Sequence, residues 1–172
     1  LRYFTPAGER VEVINAYGYE IPFGSHILLQ AEEMEELIVG CEIGEDMMSV
    51  ISPSCEHIMA GANLIVNPAA IVDTVTSDET WKNAIVTSSG KMTAAYVMTS
   101  AGEGESSQDM GFSGYHVIAE NGCLLAEGKE EDSVFQDVDI QRIAHERIRK
   151  NTFETDKTKY TFVKFHIRLE DT

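Results

Sequence analysis

Residues 38–54, IVGCEIGEDMMSVISPS, gather the side chains best suited to chemistry: the Cys41 thiol, the carboxylates of Glu42, Glu45 and Asp46, and the Ser54 hydroxyl. A short apolar run precedes them and a Pro-bearing loop follows. That pattern reads as a buried strand delivering polar groups to its C-terminal end. Sites in α/β sheets sit at such ends. A second stretch, AGEGESSQD at 101–109, is glycine-rich. Its glycines allow close backbone approach, but Glu103 and Glu105 would repel a phosphate. A nucleophile elbow of the G-x-S-x-G type also fails there, because Gln108 occupies the last glycine position. The five histidines are isolated and show no metal-ligand spacing. Three widely spaced cysteines give neither a disulfide framework nor a zinc pattern.

The elements that would position these residues can be read in order. Val11, Val13 and Ile14 suggest a first strand, and residues 26–30 a second. Residues 37–43 form the buried strand of the opening stretch. Ser54, as N-cap, opens a short helix over 54–60 that ends at Gly61. Residues 62–67 make another apolar strand. Ser77 caps a helix over 77–91 whose Trp81, Ala84, Ile85 and Ser88 share one face, with Trp81 as a packing residue. A strand over 94–100 follows. Apolar segments on both sides of Asn121-Gly122 signal a hairpin, with Cys123 as inert core. A strand over 133–137 and a helix from 138 to about 150 come next. Asp139 is the expected N-cap, and Ile140, Ile143, Ala144 and Ile148 form the apolar stripe. Residues 160–169 suggest a last strand.

At 172 residues the chain can bury one real core. A hydrophobic content of 43% and a charged content of 24% are those of a globular domain. No apolar run approaches a membrane span. A formal net charge of −16 argues against nucleic acid and anionic membranes as partners. The acidic clusters at Glu32, Glu33, Glu35, Glu36 and at Glu130, Glu131, Asp132 read as solvated surface. The cysteine usage suits a reducing cytoplasm.

Residues 38–54 resemble the nucleophile segment of the carbon–nitrogen hydrolase (nitrilase) superfamily. More narrowly, they resemble the glutaminase domain of the glutamine-dependent NAD synthetases, which read roughly G-V-E-I-C-E-D-L-W followed by P-P-S. Glu42, Ile43, Glu45, Asp46, Pro53 and Ser54 match, and Gly44 stands where that family places its cysteine. Other phrases match in order: Arg2-Tyr3-Phe4, Pro22-Phe23-Gly24, Ser100-Ala101-Gly102, Gly104-Glu105-Ser106, Asp109, the Asn121-Gly122 hairpin, and Asn151-Thr152-Phe153.

The resemblance implies an α/β (α+β) fold, a nitrilase-like αββα four-layer sandwich that is incomplete at the N-terminus. Residues 1–153 would be the C-terminal part of that domain. Residues 154–172 would trail toward a synthetase domain absent here, which alone would use ATP and the NAD precursor; no cofactor or metal is expected in this chain. The implied substrate is glutamine. Such a site needs a thiolate, a Glu base and a Lys for the oxyanion. Gly44 provides no thiolate, and the lysine and base would lie upstream of Arg2. Glu45 would contribute its backbone amide to the oxyanion hole. Met48 and Ala69 fall at substrate-binding positions, with Ala69 in place of the family's serine. Cys41 lies an odd offset from residue 44, so along a strand it would face the other way, as a small buried apolar residue. Two readings remain: an inactive part of a glutamine-dependent NAD synthetase, or a non-catalytic nitrilase-like module. Either would need a second copy, or the absent N-terminal part, to cover exposed sheet faces.

Overall fold

The chain is described by a computed structural model at residues 7–8, 10–105, 111–129, 133–150 and 153–168. The matches at Arg2-Tyr3-Phe4, Ser106, Asp109 and Asn151-Thr152 lie outside these residues, as does the acidic cluster 130–132.

Tyr17 and Gly18 both take positive φ, 55° and 83°. That geometry matches the twist of a tight hairpin, and it joins β1 (Glu12–Ala16) to β2 (Tyr19–Phe23). The pair forms a two-stranded sheet of its own. The remaining strands are β3 (Ile27–Ala31), β4 (Ile38–Cys41), β5 (Leu64–Ala69), β6 (Ala95–Ser100), β7 (Tyr115–Glu120), β8 (Cys123–Lys129) and β9 (Thr161–Phe165). They form one mixed seven-stranded sheet in the order β8-β7-β6-β5-β4-β3-β9. Pairing is parallel across β4-β5-β6 and β3-β9, and antiparallel elsewhere. Among the described residues the expected four layers are thus represented by one large sheet with its helices. The last strand read at 160–169 is β9, residues 161–165, at the edge of this sheet.

Strand alternation sends successive side chains to opposite faces. On one face lie Leu28, Ile38, Ile65, Tyr96, Met98, Val117 and Ala119, packed with Ile58 of α1 (Pro53–Met59) and with Trp81, Ile85 and Met92 of α2 (Ser77–Met92). Trp81 and Ile85 are both buried there, so the helical face read from their spacing is the docking face. On the other face α3 (Ile140–Arg149) covers Ala95 and Leu64 with Ile140 and Ile143. Asp139 caps this helix, its carboxylate accepting from the Arg142 N–H at 2.8 Å. Arg147 pins its far end: Nε donates to Thr93 O at 2.8 Å and Nη1 to Ala62 O at 2.6 Å, with the Phe153 ring 4.6 Å from the guanidinium. Burial there lowers the Arg147 pKa to about 10.

Several expectations change. α1 begins at Pro53, with Ser52 as N-cap and no side-chain capping bond. Thr76, at φ 73°, precedes α2 in place of Ser77. Residues 133–137 are not a strand; Val134 and Phe135 instead lie beside Val97, His116 and Ile118, around a cavity on the sheet face. Ile148 leaves the α3 stripe and is exposed, because the helix meets the sheet only through its first turns. Cys123 starts the outermost strand, β8, and is exposed rather than core.

Candidate functional site

β4 runs into a bend that lifts residue 44 off the sheet. Its last residue is Cys41, and Gly44 opens a single 3-10 turn, Gly44–Met48, at φ 55°. That value lies in the left-handed region that side-chain-bearing residues avoid. A Cβ on Gly44 would meet nothing nearer than the Ala69 Cα at 4.0 Å. The position is therefore open in space and constrained only in backbone. Strand, left-handed residue, helical turn is the arrangement by which a strand end presents a reactive group.

Of the residues expected at the site, Gly44 and Ala69 are brought together at the ends of neighbouring strands. Glu45 follows at the turn with its side chain exposed, and Met48 closes the turn, also exposed. Ala101, at the start of the glycine-rich loop, donates its N–H to Ala69 O at 2.9 Å, which puts that loop beside the same strand end.

Beneath the turn lies a buried polar chain that the sequence did not announce. Asn67, at the end of β5, accepts from the Gly44 N–H at 2.6 Å and donates to Gly44 O at 3.2 Å and to the Tyr96 hydroxyl at 3.0 Å. Tyr96 donates to Glu42 Oε1. Glu42 Oε2 accepts from the Ser54 N–H at 2.9 Å, so a buried carboxylate sits at the N-terminus of α1. Burial and the adjacent Glu42 carboxylate push the Tyr96 hydroxyl far above its ordinary range, which keeps it a donor. Glu42 and Ser54 were legible as matched motif residues, and Asn67 as the residue that opens the family-like phrase containing Ala69, but the bonds of Asn67 to Gly44 and Tyr96 were not. The available signal was a lone amide closing the apolar run 62–67.

A second buried group ties β4 to α1. His57 Nε2 lies 2.9 Å from Cys41 O and Nδ1 2.9 Å from the Tyr160 hydroxyl. A carbonyl can only accept, so Nε2 carries the proton and Nδ1 accepts from Tyr160 in the neutral ring. Burial lowers the His57 pKa. Gly40 makes room for it, since a Cβ there would fall 2.9 Å from the His57 Cβ.

Cys41 is exposed, contrary to the expected buried apolar role. It lies on the face of β3, β4 and β5 away from α1 and α2, which α3 reaches only at Leu64, the start of β5. There Ile27, Leu29, Val39, Cys41 and Val66 line an open cavity of about 710 Å³. Partial desolvation, then the Glu42 charge, raises the Cys41 thiol pKa, opposite to an activated thiol. Among the described residues no group of three or more His, Cys, Asp or Glu could hold a metal ion. No helix among them is long and apolar enough to cross a membrane.

No protein-family model matches the chain. It is 33% identical over 178 aligned residues to the glutamine-dependent NAD(+) synthetase of Mycobacterium leprae, an alignment covering 98% of this chain and 26% of the relative. The chain thus spans about a quarter of the length of that curated relative. Its fold is shared with a glutamine-dependent NAD(+) synthetase from Cytophaga hutchinsonii, with a TM-score of 0.58 and 22% identity over 73% of this chain and 19% of that one. It is shared equally with Saccharomyces cerevisiae Nit3, a nitrilase-superfamily member, with a TM-score of 0.56 and 18% identity over 86% of this chain and 47% of that one.

Proposed function

We propose, from the premise that the chain is homologous to glutamine-dependent NAD(+) synthetases over nearly its whole length, that it is the portion of a glutamine amidohydrolase domain that carries the nucleophile turn. The observation supporting this is the turn itself: residue 44 sits at a strand end, left-handed, with open space around its Cβ direction. In a working amidase the side chain there attacks the amide carbonyl as a thiolate, and the next backbone N–H, that of Glu45, helps bind the oxyanion. Met48 and Ala69 mark where glutamine would lie. Glycine has nothing to attack with, and Ala69 offers no hydroxyl to a polar substrate. The chain as it stands is therefore inactive as a glutaminase. In the whole enzyme, ammonia from glutamine would join an NAD precursor in a separate ATP-using domain, in the cytoplasm.

Gly44 and Ala69 also favour a second reading, a non-catalytic module kept for assembly. In both readings the uncovered apolar face of β3–β5 needs a cover, either a second copy of the chain or the remainder of a nitrilase-type sandwich.

Ammonia release from glutamine separates activity from inactivity. Loss of a nucleophile costs on the order of 10⁶ in turnover, so the purified chain is expected to match a buffer blank. Sustained glutamine-dependent release from protein free of contaminating amidase would overturn that inactivity, and its loss on substitution of Cys41 would overturn the assignment of residue 44 as the nucleophile position.

A further inference from the structure

We propose that Asn67 is a positioning residue: its side-chain amide grips the backbone on both sides of the residue 44 Cα and holds the turn left-handed whatever side chain residue 44 carries. The inference rests on residue 44 being the reactive position of the site, and it names what keeps that position in shape.

The geometry is that of a clamp. Asn67 is 1% exposed, on β5, one strand away from the turn. Its Oδ1 receives the Gly44 N–H at 2.6 Å, and its Nδ2 reaches Gly44 O at 3.2 Å. These two groups bracket the Gly44 Cα, so a planar amide bonded to both fixes φ and ψ between them. The amide cannot flip. Gly44 N–H requires an acceptor and Gly44 O a donor. The Tyr96 hydroxyl, whose proton goes to Glu42, needs a donor as well. Glu42 is anchored in turn by the Ser54 N–H. The clamp therefore has a buried, fully bonded base reaching from α1 to β6.

No anchor in this chain of bonds involves a side chain at residue 44. A Cβ there would have Ala69 Cα at 4.0 Å as its nearest neighbour. Glycine adopts φ 55° freely, whereas any L-residue is strained there and drifts unless held. A clamp that acts only on backbone atoms is what a strained reactive residue requires.

Residue-resolved backbone amide hydrogen exchange tests this in the unmodified chain. The Gly44 N–H is expected to be protected although the turn lies at the surface. Asn67→Ala is expected to lower that protection roughly tenfold to a hundredfold, the worth of one such bond and the buried partner it orphans, while Ile65 and Val117 amides hold. Asn67→Asp keeps the acceptor oxygen but turns a second acceptor on Gly44 O and the Tyr96 hydroxyl, so it is expected to recover Gly44 protection only at a pH low enough to protonate the new carboxyl, whose O–H can then donate. In Gly44→Cys the residue 44 amide is expected to exchange as in the parent. An unprotected Gly44 N–H in the unmodified chain overturns the proposal, even if the variants do not fold. So does a loss in Asn67→Ala that is equal at Gly44, Ile65 and Val117. Glutamine turnover enters none of these readings, so failure of the amidase assignment would leave them unmoved.

Discussion

Ile65 and Val66 are neighbours on β5 that face opposite worlds. Ile65 is fully buried between α1, α2 and adjacent strands. Val66 lies on the side where α3 covers only the beginning of the strands, and it lines an open cavity with Leu29, Val39 and Cys41. One face of this sheet is a finished core. The other has the apolar composition of a core without its cover. The finished face holds the polar chain under residue 44, while on the other face the buried carboxylate of Glu120 accepts from the Asp139 N–H at 2.9 Å, at the start of α3 and away from the open cavity. The difference separates what the chain needs in order to fold from what it needs in order to work in a larger assembly.

The comparison breaks most directly at Ile65. Ile65→Ala is expected to destabilise the chain by about 2–5 kcal/mol, the range for emptying a packed site, read as a drop in urea midpoint at unchanged slope. A loss no greater than that of Val66→Ala would mean the two faces are not different. A smaller effect is expected at Gly40, where the finished face comes closest to a helix. An added Cβ would meet the His57 Cβ at 2.9 Å and its ring at 3.1 Å. Gly40→Ala should therefore cost about 1–3 kcal/mol through overpacking. A stability equal to the parent in the same urea titration would show that α1 can shift freely.

The finished face was largely legible in sequence because its signals are local. Trp81 and Ile85 are one helical turn apart and both are buried. Asn121 and Gly122, at φ 47° and 83°, make the hairpin that the dipeptide announces. On the other face, too, a local signal was legible: Asp139 caps α3 as its position before an amphipathic run suggests. Contacts between distant segments were not legible. Gly90 of α2 approaches Gly122 so closely that a Cβ on Gly90 would lie 3.0 Å from the Gly122 Cα, and nothing in either local stretch encodes that meeting. The site divides in the same way. The motif around Gly44 could be read from order and residue type, and the lone Ala69 beside it. Asn67 and Tyr96 matter only once β4, β5 and β6 lie side by side. Cys41 was misread because alternation gives a face, and burial then depends on what covers that face.

A still smaller effect is set by pH. His57 is buried on the finished face, near Cys41 and Glu42 from the β4 end, Glu56 on its own helix, His26 before β3, and Tyr160 before β9. Burial lowers its folded pKa. Its unfolded value is about 6.5, so its contribution is full above that pH and is lost as pH falls toward the folded value. His166 acts oppositely: its bond to Glu33 raises its folded pKa, so its contribution grows as pH falls. The lowered carboxylates Glu33, Glu127 and Asp156 act below this window, since their ordinary values are 4.5, 4.5 and 3.8. His57→Gln keeps a donor for Cys41 O without a titrating ring. Unfolding midpoints between about pH 7.5 and 5.5 should fall more steeply for the parent than for His57→Gln. Identical slopes would mean that His57 titrates normally.

The smallest effect on stability is expected on the unfinished face, and there the comparison is sharpest. Leu29 is 43% exposed although it sits in β3, one residue from Leu28, which is fully buried. Leu29→Glu removes no packed contact from the finished core, so its cost to the isolated fold should stay within about 0.5 kcal/mol, as for surface positions. Its effect on association should be large, because a carboxylate placed in an apolar sheet-to-sheet contact must be desolvated without a partner. The chain's net charge of −16 adds repulsion without forbidding a specific apolar contact. Sedimentation equilibrium at low micromolar concentration reads the outcome. The parent is expected to sediment above the mass of one chain and Leu29→Glu at that mass, with nearly equal unfolding midpoints in dilute solution. A parent that is monomeric under these conditions, together with a Leu29→Glu variant destabilised as strongly as Ile65→Ala, would show that the second face is already part of the chain's own core.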